Sequence, residues 1–595
     1  MNTEAVKGIP YGVADYGRIA ERNYYYVDKT GFLETVEKAG DYLFFIRPRR
    51  FGKSLFLSMM EGYYDVLYKE RFEELFKSTA IYDTPTKERG TYLVLGFNFS
   101  VVEPTADKVE ASFLNHVKGA ARLFLERYAD YLSPGRQKIR QDIEGMNSGA
   151  DMLTNLIDLC KASNRQLYIL IDEYDNFANT ILSTSGRREY EQLTHGNSFF
   201  RTFFNVLKSG TSKMGAPISR LFLTGVSPVT MDDVTSGFNI GKNVTTDDRF
   251  NEMLGFTREE VTGIIDYYRN NGLIAHPTSR LLEIMDRWYN RYTFSKKSRV
   301  TLFNSDMVLY FLDEYLKDGE IPEELVDENV RIDYGKLRQL IIIDRGEGED
   351  RRKTTNGNFG KLKEIVEKGG TTAKLVRSFP AEKIVQPQNF TSLLFYFGLL
   401  TRVGTEKGKV KFEIPNETVK RLYFEYIKEA YEETGIFSLD FSRYSELMTD
   451  MAYDGKWREL FAFLTAEMKG RMVLRDLITG EKSIQAFLSV YLGLGDLFII
   501  HTEKELSGGF ADIVLEPFFI RYPGIRFSYI LELKYIKTKD YTAHRLEKIR
   551  TEAAVQLRNY SLDKRFRKNM EKTAVTKLLL IFSGTTLKHI EAIDD

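Results

Sequence analysis

Residues 44–54 read FFIRPRRFGKS, and the closing Gly52-Lys53-Ser54 is a set of groups suited to phosphate. A lysine ammonium fits the terminal phosphates of a nucleotide, a neighbouring hydroxyl fits Mg²⁺, and the N–H groups that open a helix add a positive field. The loop departs from G-x-x-x-x-G-K-[ST] at its first position, where Arg47 stands for glycine, followed by Pro48, Arg49, Arg50 and Phe51. Because Gly-Lys-Ser is common by composition alone, its surroundings decide. They include RQLYILIDEYDNF, in which an apolar run from Leu167 to Ile171 ends in Asp172-Glu173. A strand lying beside the phosphate-loop strand and ending in Asp can hold the Mg²⁺ water shell, and a following Glu can polarise the attacking water. Two solvated carboxylates at a strand end are the weaker reading of Asp172-Glu173 taken alone, and weaker still beside Lys53. A third apolar run, SRLFLTGVSPVT, offers Thr224 and Ser227 as polar sensors of a γ-phosphate. Arg47, Gly52, Lys53, Ser54, Asp172 and Thr224 are therefore the expected nucleotide ligands, with Ser54 and Asp172 on the metal and Glu173 as the catalytic carboxylate.

A second constellation lies in GGFADIVLEPFFIRYPGIRFSYILELKYIK. Asp512 follows Gly508-Gly509 at the start of one apolar strand, and alternation puts Glu532 and Lys534 on one face of the next. Two carboxylates hold Mg²⁺ for phosphodiester hydrolysis, and a lysine orients water or stabilises developing charge. The metal ligands expected here are Asp512 and Glu532, with Lys534 catalytic. Glu-x-Lys by itself carries little, since Glu467-Met468-Lys469 repeats it on a helical stretch without a strand-borne Asp. Gln556, on the helix that follows, and Glu481, on a helix before the strands, are further candidates. A plain Glu532–Lys534 salt bridge, or a nuclease fold that no longer cuts, remains open.

These groups need elements to hold them. YLFFI (42–46) reads as a buried strand, LFLSMMEGYYDVL as the helix after the loop, TYLVLGFNFS (91–100) as a strand, and 106–130 and 151–163 as helices. The alternation predicts an α/β domain with a mostly parallel sheet. Thr257 followed by Glu260 is a capping box that opens a helical lid. The polar, Gly-rich 344–361 reads as a linker, and the stretch from TSLLFYFGLL to RLYFEYI as a winged-helix-like connector. Near the C-terminus the order is helix, three strands, helix, strand. The expected domains are 1–254 (P-loop ATPase), 255–343 (lid), 344–455 (connector) and 456–595 (nuclease-type α/β).

At 595 residues the chain exceeds what one core supports. Lys plus Arg and Asp plus Glu both number 84, so any nucleic-acid surface must be a local patch. Basic residues interleaved with Tyr535, Tyr541 and Tyr560 could form one, and a solvated helix face explains them as well. Cys160 is the only cysteine and there are six histidines, which excludes an internal disulfide and argues against structural zinc. The N-terminus has no apolar signal-peptide core and no run of about 18 apolar residues occurs, so the expectation is a cytoplasmic protein without a membrane partner.

Over nearly its whole length the sequence resembles bacterial proteins that fuse an AAA-ATPase-like domain to a C-terminal PD-(D/E)xK nuclease domain. IPYGVADYGRIAERNYYYVDKT, RPRRFGKS, LIDEYD, LTGVSPVT, GFTREEV, IPNETV and the Asp512, Glu532, Lys534 set carry the resemblance. It implies that Arg47 in place of glycine is usual, that Gln556 stands where many members carry a Gln near the site, and that ATP and Mg²⁺ are the cofactors. It further implies Mg²⁺-dependent cleavage of nucleic acid; the expected partner is nucleic acid, DNA over RNA, with a homo-oligomer allowed. The alternative is a nucleotide-switched binding protein with an inactive nuclease fold. Arg291, Ser305 and Gln485 depart from the family pattern, at positions where Gly, Pro and His respectively are usual.

Overall fold

The computed structural model describes residues 5–132, 135–184, 187–196, 198–212, 214–229, 240–330, 343–344, 354–355, 357–380, 383–384, 386–433, 437–469, 474, 478–506, 509–560, 570 and 572–594. The chain divides into two compact units, residues 1–340 with 372–417, and residues 341–371 with 418–595. The stretch expected as a single connector, 344–455, contributes residues to both.

The first unit is built on a five-stranded sheet: β1 (Tyr42–Ile46), β2 (Leu93–Asn98), β3 (Leu167–Asp172), β4 (Ile218–Gly225) and β5 (Lys242–Asn243), in the order β2-β3-β4-β1-β5. Every neighbouring pair is parallel. Parallel strands covered on both faces have no solvent side to alternate with, which is why β3 is apolar until it reaches Asp172 and buried throughout. The order corrects one expectation: β4 lies between β1 and the Asp172 strand, so Thr224, not the phosphate loop, is the immediate lateral neighbour of Asp172. Helices Val109–Arg127, Gly149–Ala162 and Phe199–Ser209 pack together beside the sheet through Phe113, Val117, Leu153, Phe203 and Leu207.

The segment expected as a lid contains helices Arg258–Asn270, Thr278–Tyr289 and Ser305–Asp318. Its capping box is formed: Glu260 N donates to Thr257 Oγ1 at 3.2 Å, and Thr257 N donates to the Glu260 carboxylate at 2.8 Å. Farther along, helix Pro387–Tyr396 leads into an antiparallel hairpin, Thr401–Glu406 with Lys409–Glu413, and then helix Glu417–Glu433. Lys407 and Gly408 both take positive φ, the twist that a two-residue hairpin turn requires.

The second unit holds β6 (Phe498–Leu506), β7 (Gly509–Pro517), β8 (Phe527–Tyr535), β9 (Ala574–Ser583) and β10 (Thr586–Ala592), hydrogen-bonded in chain order. Only β8 and β9 run parallel, and helix Ala543–Tyr560 lies between them in sequence as a crossover. Ala553 and Leu557 of that helix close a core with Ala511, Val514, Ile530, Leu579 and Ile581. Among the described residues no helix is long and apolar enough to cross a membrane.

Candidate nucleotide and nuclease sites

The phosphate-loop glycine earns its place by conformation. Gly52 has φ of +90°, where a side chain is strained, and the helix Lys53–Tyr64 starts immediately after it. Lys53 is buried, its ammonium donating to the carbonyls of Arg47 (3.1 Å) and Pro48 (2.9 Å). Burial pushes this lysine down from its ordinary value, while the carboxylates of Glu173, Asp172 and Asp175 hold it up. Ser54 Oγ donates to one oxygen of Asp172, and Thr224 Oγ1 donates to the other at 2.5 Å. Ser54, Asp172 and Thr224, named from three separate segments, are thus one hydrogen-bonded row across the strand ends. Glu173 follows with φ of +49°, a strained backbone for a non-glycine residue.

Beside this row is a cavity of about 270 Å³. Its lining includes the polar Lys53, Ser54, Arg50 and Glu173 and the apolar or aromatic Tyr26, Val27, Leu254 and Phe256. Such a lining suits a ligand with a charged tail and a flat apolar head.

Arg47 is a correction. Its guanidinium has no solvent exposure; it donates to the carbonyls of Ile46 (3.1 Å), Thr245 (2.8 Å) and Phe250 (2.7 Å) and lies over the rings of Phe45 and Phe294. Burial pushes it down to about 9. The side chain therefore ties the strand exit to the 245–250 segment and does not face the cavity. The loop arginine that does is Arg50, at φ of +66°, with Nη1 at 2.6 Å from Asp306 and 3.3 Å from Asp327. Ser305 Oγ and Asp306 N also donate to the Arg50 carbonyl, which joins the loop to the first turn of a lid helix. Sequence reasoning passed over Arg50 because nothing local distinguishes it from Arg49.

In the second unit, β7 and β8 pair only at Ile513↔Leu531, Val514↔Ile530 and Leu515↔Tyr529. Beyond that the strands part, and the Asp512 carboxylate accepts the Leu533 N–H at 2.8 Å in place of a ladder bond. Gln485, buried on helix Glu481–Leu494, donates to the Asp512 carbonyl at 2.6 Å. On the other side of Asp512, Glu503 takes φ of +50° where the β6–β7 register skips a pair. Asp512 is therefore held through its carboxylate by Leu533 and through its carbonyl by Gln485.

Glu532 is 1% exposed, with Oε1 accepting from Lys534 Nζ at 2.6 Å and Oε2 buried with no hydrogen-bond partner among the described residues. Burial, then the Asp512 and Glu481 carboxylates, push it up to about 7 against the opposing pull of Lys534. Asp512 and Glu481 are also raised, each first by burial. Burial pushes Lys534 down, but Glu532, Glu481 and Asp512 outweigh it and leave the ammonium above its ordinary value. Asp512, Glu532, Lys534 and Glu481 thus share one electrostatic cluster. Gln556 is half-buried on helix Ala543–Tyr560, next to core residue Leu557. Tyr541 of the basic segment has Lys588 Nζ, from β10, 4.8 Å from its ring centre, while the Tyr560 side chain and Gly508 fall outside the described residues.

Among the described residues no group of three or more His, Cys, Asp or Glu side chains forms a ready metal cage. Mg²⁺ does not require one, because it keeps much of its water and binds through one or two carboxylates. The orphaned Glu532 Oε2 beside Asp512 fits that demand.

Two family models match this chain: "Predicted AAA-ATPase" over residues 10–235, and "PD-(D/E)XK nuclease superfamily" over residues 479–592. An "Uncharacterized protein in vnfD 5'region" from Azotobacter chroococcum mcd 1 is 25% identical over 312 residues, 51% of this chain; the chain spans 52% of that protein's length. Among solved structures, the Aeropyrum pernix ORC2 protein (ADPNP-ADP complexes) aligns with 70% of this chain and 98% of its own at 12% identity, with a TM-score of 0.28, too low to carry an argument. Residues 10–235 are thus similar to the AAA-ATPase-like family and residues 479–592 to the PD-(D/E)XK nuclease superfamily, in that order along the chain.

Proposed function

We propose that the protein binds and hydrolyses ATP in its first unit and cleaves phosphodiester bonds of nucleic acid, DNA in preference to RNA, in its second. The observation that carries the cleavage reading is the buried, unpartnered Glu532 Oε2 beside Asp512 and Lys534. A desolvated carboxylate oxygen costs free energy unless something completes it, and a hard cation is the natural complement. Mg²⁺, when bound, supplies charge neutralisation and a more acidic water. The chain's own residues do the rest. The Leu533 N–H and the Gln485 amide fix Asp512, Lys534 holds Glu532 in place, and its ammonium faces the developing negative charge of the cleaved phosphate. In the first unit Lys53 would leave the loop carbonyls for the terminal phosphates. Asp172 and Ser54 would hold Mg²⁺, and Glu173 would orient the attacking water.

The 2.6 Å Glu532–Lys534 ion pair favours a second reading, since it stabilises both groups without chemistry. In that case the protein is a nucleotide-switched binder of nucleic acid. Mg²⁺-dependent cleavage of labelled DNA and RNA, with and without ATP, compares the parent with Asp512→Ala and Lys53→Ala. Cleavage lost in Asp512→Ala supports the proposal, and the Lys53→Ala arm reports whether ATP gates it. Nucleic-acid binding without cleavage by the parent under any condition refutes the nuclease half and leaves the switch.

A further inference from the structure

Asp175 lies just beyond the residues assigned above and has no solvent exposure. Its carboxylate accepts from Val226 N (3.2 and 3.1 Å to its two oxygens), Ser227 N (2.5 Å) and Asn179 Nδ2 (2.8 Å). Burial, then the Glu173 charge, push it up to about 6. The residue before it makes a parallel set of ties: Tyr174 N donates to the Thr224 carbonyl at 3.1 Å, and Tyr174 OH donates to the Ser227 carbonyl at 2.7 Å. Gly225 sits inside this stitch. A Cβ there would stand 2.4 Å from the Tyr174 ring and 2.6 Å from the Asp175 carboxylate, so no other residue fits without displacing one of them.

What the stitch replaces is visible in the register. The β3–β4 ladder ends at Ile171↔Leu223, one residue short of Asp172 and Thr224. Past that point β3 and β4 have no ladder between them, although Asp172 still pairs with Asn98 of β2 and Thr224 with Phe45 of β1. The Tyr174–Asp175 contacts with residues 224–227 join these two exits directly, next to the 2.5 Å Thr224–Asp172 hydrogen bond.

Resting on the nucleotide reading of Lys53, we propose that Asp175 is a positioning residue for ATP hydrolysis: with Tyr174 it clamps the exit of β4 to that of β3, holding Thr224 and Asp172 toward the terminal phosphate. ADP lacks that phosphate, so its binding does not draw on the clamp. A misplacement of about 1 Å in such a site costs on the order of 100-fold in rate.

The test measures steady-state ATP hydrolysis and separate ATP and ADP affinities for the full-length parent, Asp175→Asn and Tyr174→Phe. The asparagine keeps the size but turns an NH₂ toward backbone donors; the phenylalanine deletes only the bond to Ser227. We expect kcat to fall roughly 10- to 100-fold in Asp175→Asn and less in Tyr174→Phe. The preference for ATP over ADP should narrow in both, with ADP affinity held within about twofold. Equal losses of ATP and ADP affinity, or kcat at the parent's level in folded Asp175→Asn, overturn the inference, because a merely structural tie lowers stability without changing that ratio. If Asp175→Asn does not fold, Tyr174→Phe and Asn179→Ala carry the same comparison. A parent that binds no ATP overturns the nucleotide reading, and this inference with it.

Discussion

Replacing Glu532 by glutamine should abolish cleavage and yet stabilise the second unit at alkaline pH. The carboxyl is held at about 7 in the folded protein against an ordinary 4.5, chiefly by burial. At ~1.4 kcal/mol per tenfold change in acidity, that difference is worth about 3 kcal/mol. The sign follows from which state releases its proton first. Above pH 4.5 the unfolded chain has ionised while the folded one still holds the proton, so stability falls as pH rises and the loss is complete above about 7. Glutamine cannot ionise, and the exposed end of Lys534 can turn to water. Unfolding is followed by fluorescence of Trp457, buried on helix Trp457–Lys469 of the same unit, in a Trp288→Phe background without Mg²⁺. Near pH 5 parent and variant should lie close together, and by pH 8 Glu532→Gln should be the more stable by up to about 3 kcal/mol. Mg²⁺ should then stabilise the parent and leave the variant unchanged. Parallel stability curves from pH 5 to 8 would refute the argument, because they would mean that Glu532 is ionised and satisfied without a cation.

Other changes probe the remaining structure. Lys53→Ala should remove the ATP-dependent rise in melting temperature, as read by a thermal shift with and without ATP. Arg47→Ala should destabilise the first unit by about 3 kcal/mol, because three buried carbonyls lose their donor, and folded protein should keep ATP affinity within a few-fold; a calorimetric titration that finds affinity lost at unchanged stability would return Arg47 to the phosphate site. Gly225→Ala should depress ATP turnover as Asp175→Asn does, since the added methyl meets Tyr174 and Asp175, and steady-state hydrolysis checks it. Gln485→Leu leaves the Asp512 carbonyl without its side-chain donor, and should slow cleavage about tenfold with ATP turnover unaffected, measured on the same preparation.

Much of this was legible in the chain itself. The apolar runs ending at Ile46, just before the loop that carries Lys53, at Asp172 and at Thr224 identify three strand ends, because strands of a parallel sheet must be apolar on both faces and can turn polar only at their exits. Alternation along a strand, in turn, put Glu532 and Lys534 on one face of β8. The capping box at Thr257 and Glu260 was readable because both partners lie within one turn.

Tertiary structure decided what each side chain faces. Arg47 and Arg50 are three residues apart in one basic loop, yet one is buried against the carbonyls of Thr245 and Phe250 and the other meets Asp306 and Asp327. Asp175 reads as one more acid in IDEYD until the end of β4 arrives about fifty positions later to supply its donors. That β4 separates β1 from β3 follows from the order in which distant segments pair, which no local pattern encodes. Periodicity and residue type report the local balance between burial and solvation, so they reveal strands, caps and strand ends. Partners far apart in sequence are set by packing of the whole sheet, and only the folded chain assigns them.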